Sequence, residues 1–310
     1  MKNLHSNIKI DFTIKAASIL KIAAIFSSAF LLSCAEMRGM NVNGYDLTPL
    51  ADAGDKLAKG TAETPEQEEI AIGQHMAGTL LGVSKLSTAR QQQLYVNRVG
   101  RLLTLSSPRP QLNWHFGVLQ DNDVNAFAAP GGYVFVTSGL LNMLDNEAQL
   151  AGVLSHEIAH VTHKDYLKAM RSNNLLGAAL DVGAFVGSAA TNGQTSAQER
   201  EFAQSVVNAS KEVYERGLDK SDEYAADKAA LETMKKAGYD PYAYVVVMQK
   251  LQARAAQDSA MALLMQTHPS PTDRLEAMGE SLDTMKIPDN LLTLDKRFAQ
   301  AVQKFNSITI

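Results

Sequence analysis

His156, Glu157 and His160 fall within "VLSHEIAHVTH", residues 153–163. Positions four apart on an α-helix share a face and are separated by about one turn of rise. Two imidazoles so placed can reach a single Zn²⁺ at about 2.0–2.1 Å. Glu157 points about 100° around the axis, too far for an ideal third ligand but well placed for a water at the metal. Leu150, Val153, Leu154, Ile158 and Val161 predict a largely buried helix, and Gly152 leaves space beside the first ligand. Histidine and glutamate in so apolar a helix are costly unless a metal or hydrogen bonds satisfy them.

A catalytic zinc needs a third protein ligand and one open position. No histidine lies between His163 and His268, so a carboxylate from a second helix is the economical choice, in "GLDKSDEYAADKAALETMKKAG", residues 217–238. Glu223 and Asp227 stand four apart there. Glu223 can ligate the metal while Asp227, one turn on, orients a ligand imidazole; the competing reading is a solvated acidic face. The stretch "MQTHPSPTDRLEAM", residues 265–278, adds a third element. Pro269 and Pro271 hold His268 extended, and Thr272 caps a helix opening with Asp273 and Arg274. A loop histidine held this way can hydrogen-bond an oxyanion; a packing or capping histidine is the alternative.

Several elements must position these groups. In "TPEQEEIAIGQHM" Thr64 is a good N-cap, Pro65 a good first helical residue and Gln67 closes a capping box, while Glu66, Glu68 and Glu69 suit the helix dipole. Residues 88–105 predict another helix, with Leu94, Val99, Leu102 and Leu103 on or near one face. "LNWHFGVLQ" and "GGYVFVTS" read as a strand pair or small sheet, separated by the turn-rich "DNDVNAFAAPGG". Helical signals return at Asn146 and continue almost to the end. No internal repeat is present.

The chain has 310 residues, 45% hydrophobic and 20% charged, enough for one substantial core. Its single cysteine excludes an intrachain disulfide and any cysteine-rich zinc site. Residues 1–33 read as a signal peptide: Lys2, Lys9, Lys15 and Lys21 precede the uncharged "IAAIFSSAFLL", too short to span a membrane. The sole cysteine, Cys34, follows in "LLSC", a pattern resembling the bacterial lipobox. Four lysines and one aspartate leave with the leader, so 25 basic and 32 acidic residues remain of the original 29 and 33, a net charge near −7. Nucleic acid is a poor partner for such a chain. Residues 34–63 read as a flexible tether from lipidated Cys34, and residues 173–193, apolar and rich in Gly and Ala, as a lid, a contact surface or ordinary helix packing.

Four motifs in order, "NAFAAPGGYVFVTSGLL" (125–141), "LSHEIAHVTHKD" (154–165), "DEYAAD" (222–227) and "THPSPTDR" (267–274), resemble the zinc metallopeptidases of family 48. That family includes the prenyl-protein CaaX protease, the Oma-type mitochondrial protease and periplasmic proteases policing outer-membrane protein assembly. Metzincins fit poorly, since His163 and Tyr166 stand where they require Gly and His. The resemblance implies a mostly helical α+β fold: a zincin-like gluzincin core with an active-site helix, a second zinc-ligand helix and a small sheet whose edge strand borders the cleft. It implies one Zn²⁺ per chain held by His156, His160 and Glu223, with Glu157 as catalytic base. Asp227 then supports the site, His268 and Arg274 border it as catalytic helpers, and Asn125 and Ala126 bind extended substrate along the edge strand. Some periplasmic relatives silence themselves with a histidine between the zinc helices; residues 164–222 contain none.

The expectation is a catalytic domain over residues 64–280 and a C-terminal extension over 281–310. Its work is zinc-dependent hydrolysis of unfolded or misassembled envelope proteins in the periplasm, from a lipid anchor in the outer membrane. The outer-membrane assembly machinery is a candidate partner, and no organic cofactor is indicated. The alternatives are a chaperone-like assembly factor with a mainly structural zinc, and a lipoprotein scaffold binding partners through residues 173–193 and the C-terminal tail.

Overall fold

The computed structural model describes residues 64–172, 197–255, 259–268 and 270–302, together with residues 39, 41, 42, 45, 46 and 48. The leader, Cys34 and residues 173–193 lie outside the described residues. Met1–Ala62 form one unit and Glu63–Ile310 another. In the first, β1 (Asn41–Val42) pairs antiparallel with β2 (Tyr45–Asp46).

The second unit begins with α1 (Glu66–Val83) and α2 (Arg90–Thr104). Helix α1 starts one residue later than its capping signals suggest. Pro65, with ψ 146°, occupies the N-cap and no side chain caps the helix. Glu69 does more than complement the dipole: it is fully buried, ion-paired to Arg109 at 2.8 Å and accepting from the Gly131 N–H at 3.1 Å. The buried face of α2 is Gln92, Val96, Val99, Gly100 and Leu103, whereas Leu94 and Leu102 are 47% and 43% exposed. The expected stripe is therefore rotated, because Gly100 lets α2 approach the Phe116 ring so closely that a Cβ there would meet it at 2.5 Å.

Strands β3 (His115–Leu119), β4 (Ala126–Ala129) and β5 (Tyr133–Thr137) form one sheet in the order β3-β5-β4. β3 runs parallel to β5, and β4 antiparallel to it. The stretch that looked like a separator thus supplies an edge strand. A tight turn through Gly131 (φ 76°) and Gly132 (φ 104°), both in the left-handed region that favours glycine, returns β4 into β5.

Helices α3 (Ser138–Met143), α4 (Glu147–His163) and α5 (Asp165–Ser172) follow. Asn146 caps α4, its side chain accepting from the Gln149 N–H. Every residue of α4 from Glu147 to Val161 is buried, so this helix is the axis of the core, against which α2, the sheet and two later helices pack. Burial of Leu150, Leu154 and Ile158 contributes about 1.5–3 kcal/mol each. Then come α6 (Ala197–Arg216), α7 (Lys220–Lys236), α8 (Tyr242–Ala255), a 3₁₀ turn at Ser259–Met261, α9 (Ala262–Thr267), α10 (Pro271–Thr284) and α11 (Asp295–Val302). Ser270, not Thr272, caps α10: its hydroxyl accepts from the Thr272 N–H. Helix α10 runs through position 281, and α11 buries Phe298, Ala301 and Val302 in the same core. No described helix is long and apolar enough to cross a membrane.

Candidate metal centre

Helix α4 carries His156 and His160 on one face, and α7 crosses it to bring Glu223 against them; all three are buried. His156 Nε2 lies 3.0 Å from His160 Nε2 and 3.4 Å from Glu223 Oε2, and His160 Nε2 lies 3.5 Å from Glu223 Oε1. Four ligands around a tetrahedral zinc at about 2.05 Å stand about 3.3 Å apart. The triangle of donor atoms therefore has the size a zinc ion requires. Sulfur is absent from the set, and two nitrogens with a carboxylate match the ligands of a catalytic zinc.

The outward-facing imidazole nitrogens are also fixed. His156 Nδ1 lies 3.0 Å from Asp227 Oδ1, and His160 Nδ1 lies 2.9 Å from Asp165 Oδ2. Each carboxylate accepts the Nδ1–H and so leaves the Nε2 lone pair facing inward, the tautomer a metal needs. Asp227 thus stands where the spacing argument put it. Asp165 was not singled out beforehand. It reaches His160 because Lys164, in the left-handed region at φ 60°, ends α4 and folds the chain back into α5. Lys168 Nζ holds its other oxygen at 2.9 Å.

Arg274, on α10, is buried and committed to the framework. Its Nε donates to Asp227 Oδ2 at 2.8 Å, one terminal nitrogen donates to Asp227 Oδ1 at 2.5 Å and to Tyr244 Oη at 2.8 Å, and the other lies 3.4 Å from Glu223 Oε2. Tyr244 in turn donates to Asp227 Oδ1 at 2.9 Å. Like Asp165, this tyrosine carried no signal in the sequence. Its ring fits because Gly152 has no side chain: a Cβ there would meet Tyr244 at 2.7 Å. The space predicted beside the first ligand is filled by Tyr244.

His268 is extended (φ −126°, ψ 140°), buried, and its Nδ1 lies 2.9 and 3.0 Å from the two Glu223 oxygens. It joins His156, His160 and Glu223 in one cluster whose candidate ligand atoms lie within 4.8 Å of one another. The electrostatics follow from this crowding. Burial opposes ionisation of Glu223, but His268, His156 and His160 around it hold its carboxyl well below the usual carboxylate range. Burial likewise opposes charge on Asp227, and Arg274 and His156 overcome it, so Asp227 is held low as well. Burial and Arg274 disfavour a charged His156, yet Asp227 and Glu223 raise it to about 9. The centre is built to hold positive charge.

Glu157 is 2% exposed, and its buried Oε2 has no hydrogen-bond partner among the described residues. An orphan carboxylate oxygen costs about 1–3 kcal/mol or more, and a water beside the metal position would satisfy it. The edge strand lies next to it, Ala126 and Glu157 lining one small cavity. Asn125 O accepts from the Thr137 N–H at 3.0 Å and the Asn125 N–H donates to Thr137 Oγ1 at 3.0 Å, so alternation turns the backbone groups of Ala126 and Ala128 away from β5, at residues that are themselves buried. The Ala126 N–H is already taken by Asn125 Oδ1 at 2.9 Å, while Asn125 Nδ2 is buried and unpartnered among the described residues.

The model of Peptidase family M48 matches residues 90–281. The chain is 27% identical over 283 residues to the "Beta-barrel assembly-enhancing protease" of Yersinia pestis, covering 90% of this chain and 57% of that protein. It is 30% identical over 198 residues to the "Mitochondrial metalloendopeptidase OMA1" of Schizosaccharomyces pombe, covering 63% of this chain and 54% of that one. It is 27% identical over 282 residues to the "Metalloprotease YcaL" of Escherichia coli, 86% of this chain and 98% of the other. The chain spans little more than half the length of the first two relatives.

Proposed function

The chain belongs to peptidase family M48, and we propose that it is a zinc-dependent endopeptidase acting on unfolded or misassembled proteins of the cell envelope. The observation that carries the reading is the triangle of His156, His160 and Glu223 donors with the partnerless Glu157 oxygen beside it. His156, His160 and Glu223 would hold the ion; a bound Zn²⁺ supplies a Lewis acid that polarises a carbonyl and acidifies water. Glu157 Oε2 takes the proton of the attacking water and delivers a proton to the departing amine. Asp227 and Asp165 hold the two imidazoles in the required tautomer. His268 is close enough to Glu223 to donate to the oxyanion that forms beside it. Arg274 acts through the carboxylates it pins. An extended substrate would lie along the edge strand β4, where the Asn125 amide is an unpartnered donor among the described residues.

The choice of substrate rests on other ground. A leader ending at Cys34 in a lipobox-like pattern supports a lipid-anchored periplasmic protein, with the outer membrane as its site and the assembly machinery as a partner. The name of the Yersinia pestis relative, a protease that enhances beta-barrel assembly, supports the same reading.

One observation favours a second reading. His268 is a fourth protein donor within the cluster, and four protein ligands would close the site and make its zinc structural, as in a chaperone-like assembly factor that binds peptides along β4. The two readings separate in one assay. Digestion of unfolded casein by zinc-loaded protein should stop with chelator, return with zinc, and be absent in Glu157→Gln at unchanged zinc content. A wild-type protein that binds zinc and casein without cutting would favour the structural reading.

A further inference from the structure

A groove of about 680 Å³ lies between α2 and α11, with Glu147 at the start of α4 on its floor. His156 stands nine residues farther along α4, roughly 14 Å of rise, so the groove is separate from the metal centre. Its α2 wall repeats every four residues, as Arg90, Leu94, Arg98 and Leu102. Positions four apart share a helical face, so two cations and two exposed leucines alternate along about 18 Å. Both arginines are exposed, and neither has a hydrogen-bond or ion-pair partner among the described residues. Arg90 opens α2, where the helix dipole disfavours a cation, and no acidic residue stands in that first turn. The carboxylate on the floor does not offset them, because Arg297 of α11 already neutralises Glu147. An acidic partner therefore meets uncompensated positive charge between apolar contacts.

We infer that this groove docks an acidic amphipathic helix of a partner protein. The inference goes beyond the endopeptidase reading and does not depend on the metal. A helix laid between two helices is read through anchors at spacings of three, four and seven residues. Because it rises at the same rate as α2, its positions stay matched along the whole wall. Two carboxylates eight residues apart, about 12 Å, reach Arg90 and Arg98 together. Leucines four residues from each then meet Leu94 and Leu102 and take their exposed surface from water. An anionic lipid fits the stripe less well, since its charge sits at one end and its apolar chain follows, whereas here charge and apolar surface alternate twice.

The test is fluorescence anisotropy of a labelled, alanine-based helical peptide titrated with the full-length protein. The peptide carries two glutamates eight residues apart and a leucine four residues after each; a second version has lysine in place of both glutamates. The acidic peptide should bind at least tenfold more tightly than the lysine version, and its affinity should fall as ionic strength rises from about 0.05 to 0.5 M. Arg90→Glu combined with Arg98→Glu should reverse the preference, so that the lysine peptide binds better. Arg98→Gln alone should weaken the acidic peptide about threefold, and Leu94→Ala about fivefold. Melting temperature and zinc content should stay at wild-type values in these surface variants. Equal binding of the two peptides by the wild type overturns the inference, as does an unchanged preference in the folded double variant. If the wild type ignores both peptides but binds phosphatidylglycerol vesicles, and the double variant does not, the groove serves a lipid surface and the helix is overturned. Self-association of the wild type that the double variant abolishes, without peptide binding, would likewise give the groove to a second copy of the chain.

Discussion

Asp165 is the residue through which the centre depends on something other than its ligands. It accepts from His160 at 2.9 Å while Lys168 holds its other oxygen. Asp165→Asn should fold normally but bind zinc about 10–100-fold more weakly, measured by competition with a chelating dye; unchanged affinity would reduce Asp165 to a packing role. His268 gives a complementary expectation. If it donates to the oxyanion and is not a ligand, His268→Ala keeps its zinc and loses about 100–1,000-fold in kcat; loss of the metal would make it a fourth ligand. At this scale much was legible in the sequence. Spacing of four positions brought His156 to His160 and Glu223 to Asp227, because a helix converts that spacing directly into proximity. Asp165 was not legible, since its approach depends on a left-handed turn at Lys164, a residue type that gives no warning of one. Nor was Tyr244, which reaches Asp227 only because Gly152 on another helix leaves it room.

Among elements, the first turn of α4 is held by charge. Glu147 is fully buried and accepts from Tyr95 of α2 at 2.5 Å, from Tyr239 after α7 at 2.6 Å, and from Nε and one terminal nitrogen of Arg297 of α11. Burial opposes its ionisation, but Arg297, Tyr239 and Tyr95 outweigh that and lower its pKa below the ordinary 4.5. A carboxylate with a lowered folded pKa stabilises the fold above its unfolded value and loses that contribution as the pH falls through about 4.5 and below. The melting temperature of the wild type should therefore fall on acidification from pH 7 to pH 4. Glu147→Gln should melt lower at pH 7 and show a shallower fall; parallel curves would remove Glu147 as a pH-dependent link. The helices were legible from periodicity and caps, as at Asn146. The face of α2 and the sheet order β3-β5-β4 were not. Both depend on which partner arrives, Phe116 against Gly100 in one case and a crossover between parallel strands in the other.

For the unit Glu63–Ile310 as a whole, α4 is at once the axis of the core and the carrier of the candidate ligands, so metal and fold must be coupled. The centre gathers Glu223, Asp227, Asp165 and Arg274 with three histidines, all buried. The Nε2 atoms of His156 and His160 face each other at 3.0 Å. A metal that binds only the folded state at about 1,000 times its dissociation constant stabilises by about 4 kcal/mol. For a unit of this size that corresponds to roughly 8–16 °C in melting temperature. Chelation should lower the Tm by about that amount and zinc should restore it; a Tm indifferent to chelator would separate the ion from the fold. The most direct measurement of the central claim is anomalous diffraction at the zinc edge from crystals of the zinc-loaded chain. The expected result is a single peak within about 2.0–2.2 Å of His156 Nε2, His160 Nε2 and a Glu223 oxygen. A peak bonded to other residues, or none at this triangle, would contradict the account.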